Sequence, residues 1–279
     1  MTVAAVGPFA EAAKRAALLE AVVKAVEAAG VRIMEIYAGE VEVQLKADQT
    51  PLTAADLASH TLLSAALSRI EPALPIVSEE GGLPSHDERA AWPAYWLVDP
   101  LDGTKEFLAR NGEFTVNVAL IEHGAPTLGA VGVPAQGRVF IGDVVAREAW
   151  RLEGTRRDRL QARCHDGGPP TLVASRRHGG ERLAGVIERL ERAYGSVELL
   201  NVGSALKFCL LAAGQGDVYP RLAPTSEWDT AAAQAVLEAA GGAVLQLTGG
   251  PLAYTKADIL NPSFVAVADP TADWLRWFR

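Results

Sequence analysis

The stretch Asp99-Pro100-Leu101-Asp102-Gly103-Thr104 places two carboxylates, a backbone carbonyl and a hydroxyl on six consecutive residues. It follows Trp92-Pro93-Ala94-Tyr95-Trp96-Leu97, an apolar and aromatic run suited to a buried strand that ends at Asp99. Pro100 fixes φ and has no donor for a sheet ladder, so the chain is expected to turn there. The turn offers the Leu101 carbonyl and brings Asp102 close to Asp99, while Gly103 lets the backbone approach a ligand without a Cβ in the way. Thr104 supplies a hydroxyl and can cap the next element. Together these groups form a cradle for a hard divalent cation and an anion. The same six residues also read as an ordinary polar turn, because Asp, Pro and Gly are common turn formers. The remaining acidic residues separate the two readings.

Two further stretches supply them. Ala73-Leu74-Pro75-Ile76-Val77-Ser78 reads as a short strand that delivers Glu79 and Glu80 directly before Gly81-Gly82. A carboxylate at a strand end followed by two glycines suggests close backbone approach to something bound. In Pro224-Thr225-Ser226-Glu227-Trp228-Asp229-Thr230, Thr225 or Ser226 can cap the helix that follows, leaving Asp229 in its first turn. There it either complements the helix dipole or completes a site begun by Glu79, Asp99 and Asp102. All these ligands are oxygens and no Cys–His cluster accompanies them, so the implied cation is hard: Mg²⁺, with Mn²⁺ as a substitute. Two such ions about 3.5–4 Å apart can clamp the attacking and leaving oxygens of an in-line displacement.

The elements that must position these groups follow from periodicity. Residues Phe9 to Tyr37 have the spacing of one long helix, with Gly39 as its stop, and Val41 to Leu45 alternate as a strand. Thr53 with Asp56 three positions later has the pattern of a helix N-cap, and that helix runs through Leu57, His60, Leu63 and Leu67 to Ile70. Asp56 reads as a helix-start residue and His60 as a packing residue. Phe114 to Glu122 alternates, His123 to Pro126 is a hairpin turn, and Leu128 to Pro134 and Val139 to Val145 extend an antiparallel sheet. Arg151 to Pro170 is charged and rich in glycine and proline, and marks the boundary between a unit spanning 1–160 and one spanning 161–279. Beyond it strands (Thr171–Ser175, Ser196–Leu200, Asp217–Tyr219) alternate with helices (Glu181–Tyr194, Ser204–Gly214, Thr230–Ala240). The second half is therefore α/β and the chain as a whole α+β. Gly241 fits the residue just past a helix end, where positive φ is wanted.

Composition narrows the classes. At 279 residues with 49% hydrophobic content the chain can bury a substantial core. Its formal charge of −8 and pI near 5.2 argue against a nucleic-acid or anionic-membrane surface. A phosphorylated small molecule is not excluded, since a bound cation reverses the local sign. Cys164 and Cys209 stand alone, with neither zinc spacing nor a disulfide framework. Charged residues interrupt the alanine-rich N-terminus and no apolar run reaches membrane-spanning length, so a cytoplasmic protein is expected. Oligomeric state is left open, a homodimer included.

Glu79-Glu80, Asp99-Pro100-Leu101-Asp102-Gly103-Thr104 and Trp228-Asp229-Thr230-Ala231-Ala232, in this order, strongly resemble the signatures of the inositol monophosphatase superfamily. Lys105-Glu106-Phe107, Arg110 to Thr115, Gly203 to Cys209 and Tyr219-Pro220-Arg221 are similar to its CysQ-type 3′(2′),5′-bisphosphate nucleotidase branch. Ala223 and Ala205 depart from that branch, which usually has Gly and often Ser there. The resemblance runs from the first helix to Leu260-Asn261-Pro262. It implies a layered αβαβα fold and a Mg²⁺-dependent, lithium-inhibited phosphomonoesterase. By the same resemblance, Glu79, Asp99 and the Leu101 carbonyl hold one Mg²⁺, Asp99, Asp102 and Asp229 a second, and Glu80 helps a weaker third. Glu79 and Thr104 then orient the attacking water, with Asp56 accepting a proton through Thr104. The Gly103 and Thr104 amides face the phosphate, and His178, Ser204, Lys207 and Arg221 hold a bisphosphorylated nucleotide. The implied reaction is removal of the 3′-phosphate from adenosine 3′,5′-bisphosphate, with sulfated forms as further substrates. Two rivals share the residues: a phosphatase of inositol phosphate or fructose 1,6-bisphosphate, and a non-catalytic metal- or nucleotide-binding regulator.

Overall fold

The computed structural model describes residues 9, 11–39, 43–45, 51–175 and 180–278. Helix α1 (Ala12–Tyr37) buries Leu18, Val22, Ala25, Val26, Ala29 and Ile33 along one stripe, as apolar spacings of three and four require. It ends where expected, with the Gly39 amide bonded back to the Ile36 carbonyl. A small antiparallel pair, β1 (Val43–Leu45) and β2 (Pro51–Thr53), leads into α2 (Ala54–Leu67). The expected strand residues Val41 and Glu42 lie outside the described residues. Thr53 caps α2 in a capping box: its amide and hydroxyl both donate to Asp56 Oδ2, at 2.7 and 2.6 Å. The helix stops at Leu67, one turn short of Ile70.

Seven strands then form one sheet in chain order: β3 (Ile76–Ser78), β4 (Ala94–Asp102), β5 (Thr115–Glu122), β6 (Ala125–Val133), β7 (Arg138–Asp143), β8 (Glu148–Glu153) and β9 (Arg156–Arg159). Only β3 and β4 are parallel. Short helices α3 (His86–Ala91) and α4 (Thr104–Leu108) interrupt the connections. The second sheet is mixed. It contains β10 (Thr171–Ala174), β11 (Glu198–Asn201), β12 (Val218–Arg221), β13 (Ala243–Gln246) and β14 (Phe264–Val267), ordered β11-β10-β12-β14-β13. Helices α5 (Gly180–Tyr194), α6 (Leu206–Ala212) and α7 (Ala231–Ala239) belong to this half.

One reading of the sequence is corrected. The strand through Trp96 does not end at Asp99 but continues to Asp102, with a register shift between Asp99 and Asp102. A bulge accommodates Pro100, because a residue without an amide donor leaves no ladder bond unmade there. The first part of the charged stretch beginning at Arg151 completes β8 and forms β9. Arg151 pairs with Asp158 at 2.6 Å and the Arg157 guanidinium lies 4.5 Å from the Trp150 ring centre. Charge complementation keeps these residues in an edge strand. The closing strands β13 and β14 were not anticipated.

Side-chain alternation sorts the cores. Trp96, Val98, Val116, Val118 and Leu120 pack with α1 and α2, while Tyr95, Leu97, Ala119 and Ile121 face the other way, toward α6, α7 and the second sheet. Leu172, Ala174, Val265 and Val267 on the far side of the second sheet pack with α5 and with Trp274 and Phe278. The result is five layers: helix, sheet, helix, sheet, helix. Helix α7 is pressed onto the first sheet at two glycines. A Cβ at Gly129 would lie 2.1 Å from the Ala232 carbonyl, and one at Gly142 would lie 2.6 Å from the Val236 Cα. Gly129→Ala is therefore expected to destabilise the fold by about 1–3 kcal/mol, as overpacking does. Urea denaturation checks this, and an unchanged midpoint would contradict the close approach.

Candidate active site

The β4 bulge aims the first carboxylates. Asp99 is 1% exposed and its Oδ1 accepts the Leu101 amide at 3.0 Å, fixing the carboxylate over its own turn. Ser59 of α2 holds the Pro100 carbonyl at 2.7 Å. Asp102 accepts the Ala205 amide and, at 3.3 Å, the Thr115 hydroxyl, so it ties β4 to the start of α6. Glu79 follows β3, and its amide bonds the Val98 carbonyl at 3.1 Å. Asp229 arrives from the other side in the turn before α7, its Oδ2 accepting the Ser226 amide at 2.8 Å.

Glu79, Asp99 and Asp229 thus meet, each offering an oxygen within 4.8 Å of the others. Asp102 is close enough to act electrostatically on Asp99 and Asp229. Burial, then the neighbouring Glu79, Asp102 and Asp229, raises the Asp99 pKa well above the usual carboxylate range. Burial and Asp102 push Asp229 up to about 8. Asp102 is raised by burial too, with Lys207 and the Ala205 amide pulling it back. Like charges held this close cannot all ionise unless a cation joins them. An oxygen-only donor set of this kind fits a hard divalent cation.

Beside the cluster stand Thr104 and Asp56. The Thr104 hydroxyl donates to Asp56 Oδ1 at 3.4 Å, while the capping box occupies Oδ2. Burial raises the Asp56 pKa, and Glu80 adds to the rise. Glu80 therefore lies on this side of the site, near Asp56, and is not one of the three clustered carboxylates. Gly103, with φ at 89°, turns the chain into α4; its position faces Ser204, whose own φ is 48°.

Gly103, Ser204, Lys207, Arg221 and Asp229 line one cleft, together with Glu106 and Tyr219. Lys207 is buried in its wall, not extended into it. Its ammonium donates to the Ser204 carbonyl at 2.7 Å and sits 5.2 Å from the Tyr219 ring centre. Burial lowers its pKa to about 8, Asp102 opposing and Arg221 reinforcing the fall. Arg221 donates to the Pro224 carbonyl at 3.1 Å, yet its buried Nε has no partner among the described residues. His178 lies outside the described residues.

The turn that carries Asp229 is held by residues the motifs did not single out for a role. Glu227 is fully buried and accepts the Thr255 and Lys256 amides at 3.0 Å and the Lys256 ammonium at 2.6 Å. The Asn261 side chain donates to the Ser226 carbonyl at 2.8 Å and the Thr230 hydroxyl at 3.1 Å. Glu227 beside the Trp228-Asp229 motif was the available signal, since a carboxylate in an apolar setting requires partners.

The sequence profile described as the inositol monophosphatase family matches residues 14–273. The chain belongs to the inositol monophosphatase family. The 3′(2′),5′-bisphosphate nucleotidase CysQ of Escherichia coli K12 is 44% identical over 250 residues, covering 88% of this chain and 98% of that protein. Its namesake from Aggregatibacter actinomycetemcomitans is 34% identical, covering 94% and 97%. The crystal structure of CysQ from Bacteroides thetaiotaomicron, a bacterial member of the same family, superposes with a TM-score of 0.80 at 38% identity, over 90% of this chain and 97% of that one. The Bartonella henselae suppressor protein suhB shares the fold alone, with a TM-score of 0.75 at 22% identity over 94% and 98%. The layered α+β architecture is the one these relatives have. No helix among the described residues is long and apolar enough to cross a membrane.

The raised carboxylates give a pH signature. A group that is harder to ionise folded than unfolded binds more protons in the native state, so its contribution to stability falls as pH rises between the two pKa values. For Asp229 that window runs from the ordinary aspartate value of 3.8 to about 8. In metal-free protein, Asp229→Asn should raise Tm, and by more at pH 8 than at pH 5. Thermal melts in chelator check this; an equal change at both pH values would contradict the raised Asp229 pKa.

Proposed function

We propose that this protein is a Mg²⁺-dependent phosphomonoesterase that removes the 3′-phosphate of adenosine 3′,5′-bisphosphate, leaving AMP and inorganic phosphate. The observation that carries the reading is the meeting of Glu79, Asp99 and Asp229 within 4.8 Å, beside a cleft lined by Lys207 and Arg221. The relatedness to CysQ nucleotidases at 44% identity over most of the chain supports the substrate class.

In this reading Glu79, Asp99 and the Leu101 carbonyl hold one cation, Asp99, Asp102 and Asp229 a second, and Glu80 contributes to a third. Bound Mg²⁺ would supply charge neutralisation at the phosphate and a water of lowered pKa. Phosphate monoester hydrolysis is so slow unaided that positioning and charge stabilisation account for most of the catalysis. The chain's own groups provide the rest. Thr104 passes its hydroxyl proton toward Asp56, which leaves the Thr104 oxygen free to accept from the attacking water, with Glu79 as the second acceptor. Asp56 is suited to this because burial makes it a better base than an exposed aspartate. The Gly103 and Thr104 amides face the phosphate at the left-handed turn. The 5′-phosphate needs a cationic anchor away from the carboxylates, and the unpartnered Arg221 Nε is a donor awaiting such an acceptor. Lys207 supports the anchor electrostatically from the wall, and Ser204 and His178 complete the nucleotide contacts. Sulfated analogues of the nucleotide share the phosphates these groups would read. Mn²⁺ is expected to substitute and Li⁺ to inhibit.

Phosphate release with Mg²⁺ from adenosine 3′,5′-bisphosphate, inositol 1-phosphate and fructose 1,6-bisphosphate, with and without lithium, tests the reading. Preference for the nucleotide with lithium inhibition is expected. Preference for a sugar phosphate would overturn the substrate assignment, and no release from any of the three would favour a non-catalytic binder. Asp102→Asn should lower turnover by at least about 100-fold, the scale of losing one placed charge-stabilising group, with an unchanged far-UV spectrum. Near-normal turnover would remove Asp102 from the cation site.

A further inference from the structure

Asn117 lies in the middle of β5 and is 1% exposed. Neither its Oδ1 nor its Nδ2 has a hydrogen-bond partner among the described residues. Buried amides are almost always satisfied, so an orphan of this kind calls for an explanation. Its flanking residues Val116, Val118 and Ala119 are aliphatic and buried. An aliphatic side chain in place of Asn117 would leave no donor or acceptor unmet.

The sheet register sets Asn117 directly opposite Asp99. Side chains so paired project from one face with β-carbons about 4.5–5.5 Å apart. That face is the one that Leu97 and Ala119 present to the helical layer containing α7. Asp99 Oδ1 already accepts the Leu101 amide, and Asp99 shares its surroundings with Glu79 and Asp229. An unused donor and an unused acceptor therefore stand opposite Asp99, one of the three clustered carboxylates.

We infer that Asn117 is a positioning residue of the cation centre, whose amide orients the Asp99 carboxylate and a water of the cation's hydration shell and is satisfied only when the hydrated cation is bound. This rests on reading the carboxylate cluster as a Mg²⁺ site. The chemistry suits both ends of the amide. Mg²⁺ dehydrates reluctantly and keeps several waters, and such waters are strong donors for Oδ1. Nδ2 donates to a carboxylate oxygen, which an aliphatic residue at that position could not reproduce. Groups behind the metal ligands typically set affinity by 10- to 100-fold.

Calorimetric titration of metal-free protein with MgCl₂ and with MnCl₂ tests this, using wild type and Asn117→Leu, which keeps the branched shape of the amide without its polar atoms. The variant is expected to bind about 10- to 100-fold more weakly, while its metal-free Tm stays the same or rises, because the orphaned polar atoms are gone. Unchanged affinity in the variant, with wild type binding, overturns the inference alone. A lower metal-free Tm with unchanged affinity assigns Asn117 a purely structural role and also overturns it. Failure of wild type to bind either ion up to millimolar concentrations defeats the cation reading and this inference together. Should Asn117→Leu not fold, Asn117→Ala is read by the same pair of measurements.

Discussion

The interaction on which the rest of the structure depends is the repulsion among carboxylates gathered around the buried Asp99. Two charges 4.8 Å apart at an effective dielectric of about 20 repel by about 3 kcal/mol, and Glu79, Asp99 and Asp229 form three such pairs. Without a cation the molecule meets this by holding protons: burial raises the Asp99 and Asp229 pKa values most, and the neighbouring carboxylates add to the rise. A fold that gathers these groups against their mutual repulsion must anchor each one separately. Asp99 is pinned by its own turn, Asp102 by Ala205 and Thr115, Asp229 by Ser226, and Asp56 by the Thr53 capping box. A divalent cation converts the same arrangement from a cost into a binding site.

The layered architecture gives those anchors their relative positions. Helix α7 sits on bare backbone at Gly129 and Gly142, so the turn before it is brought down to the level of the β4 bulge. Glu227, Lys256 and Asn261 lock that turn from the side of the second sheet. The site lies where both sheets and the helical layer between them converge. The cleft beside it therefore draws Asp102, Gly103 and Glu106 from the first half of the chain, and Lys207, Tyr219 and Arg221 from the second.

Much of this was legible in the residues. The Thr53–Asp56 pair specified its capping box, the alternation of Phe114 to Glu122 specified β5, and Gly241 adopts φ of 103° just past α7 as its position suggested. Local rules sufficed there because the determining contacts are three or four residues apart. What could not be read depends on partners distant in sequence. Pro100 suggested a stop, but a bulge and the Ser59 hydroxyl carry the strand past it. The charges of Arg151 to Arg159 carried no strand pattern; Asp158 and Trp150 complement them across β8 and β9. Lys207 was implied to hold the nucleotide, and only the packing of α6 reveals it buried against Tyr219. Asn117 carried no signal in the alternation, since its significance lies in the residue opposite.

The carboxylate cluster is assembled to hold a divalent cation. The most direct measurement is anomalous diffraction from a crystal of the protein soaked in MnCl₂. The account predicts a manganese peak within coordination distance, about 2–2.5 Å, of oxygens from Glu79, Asp99 and Asp229. Manganese bound only elsewhere, with those three carboxylates unligated, would contradict it.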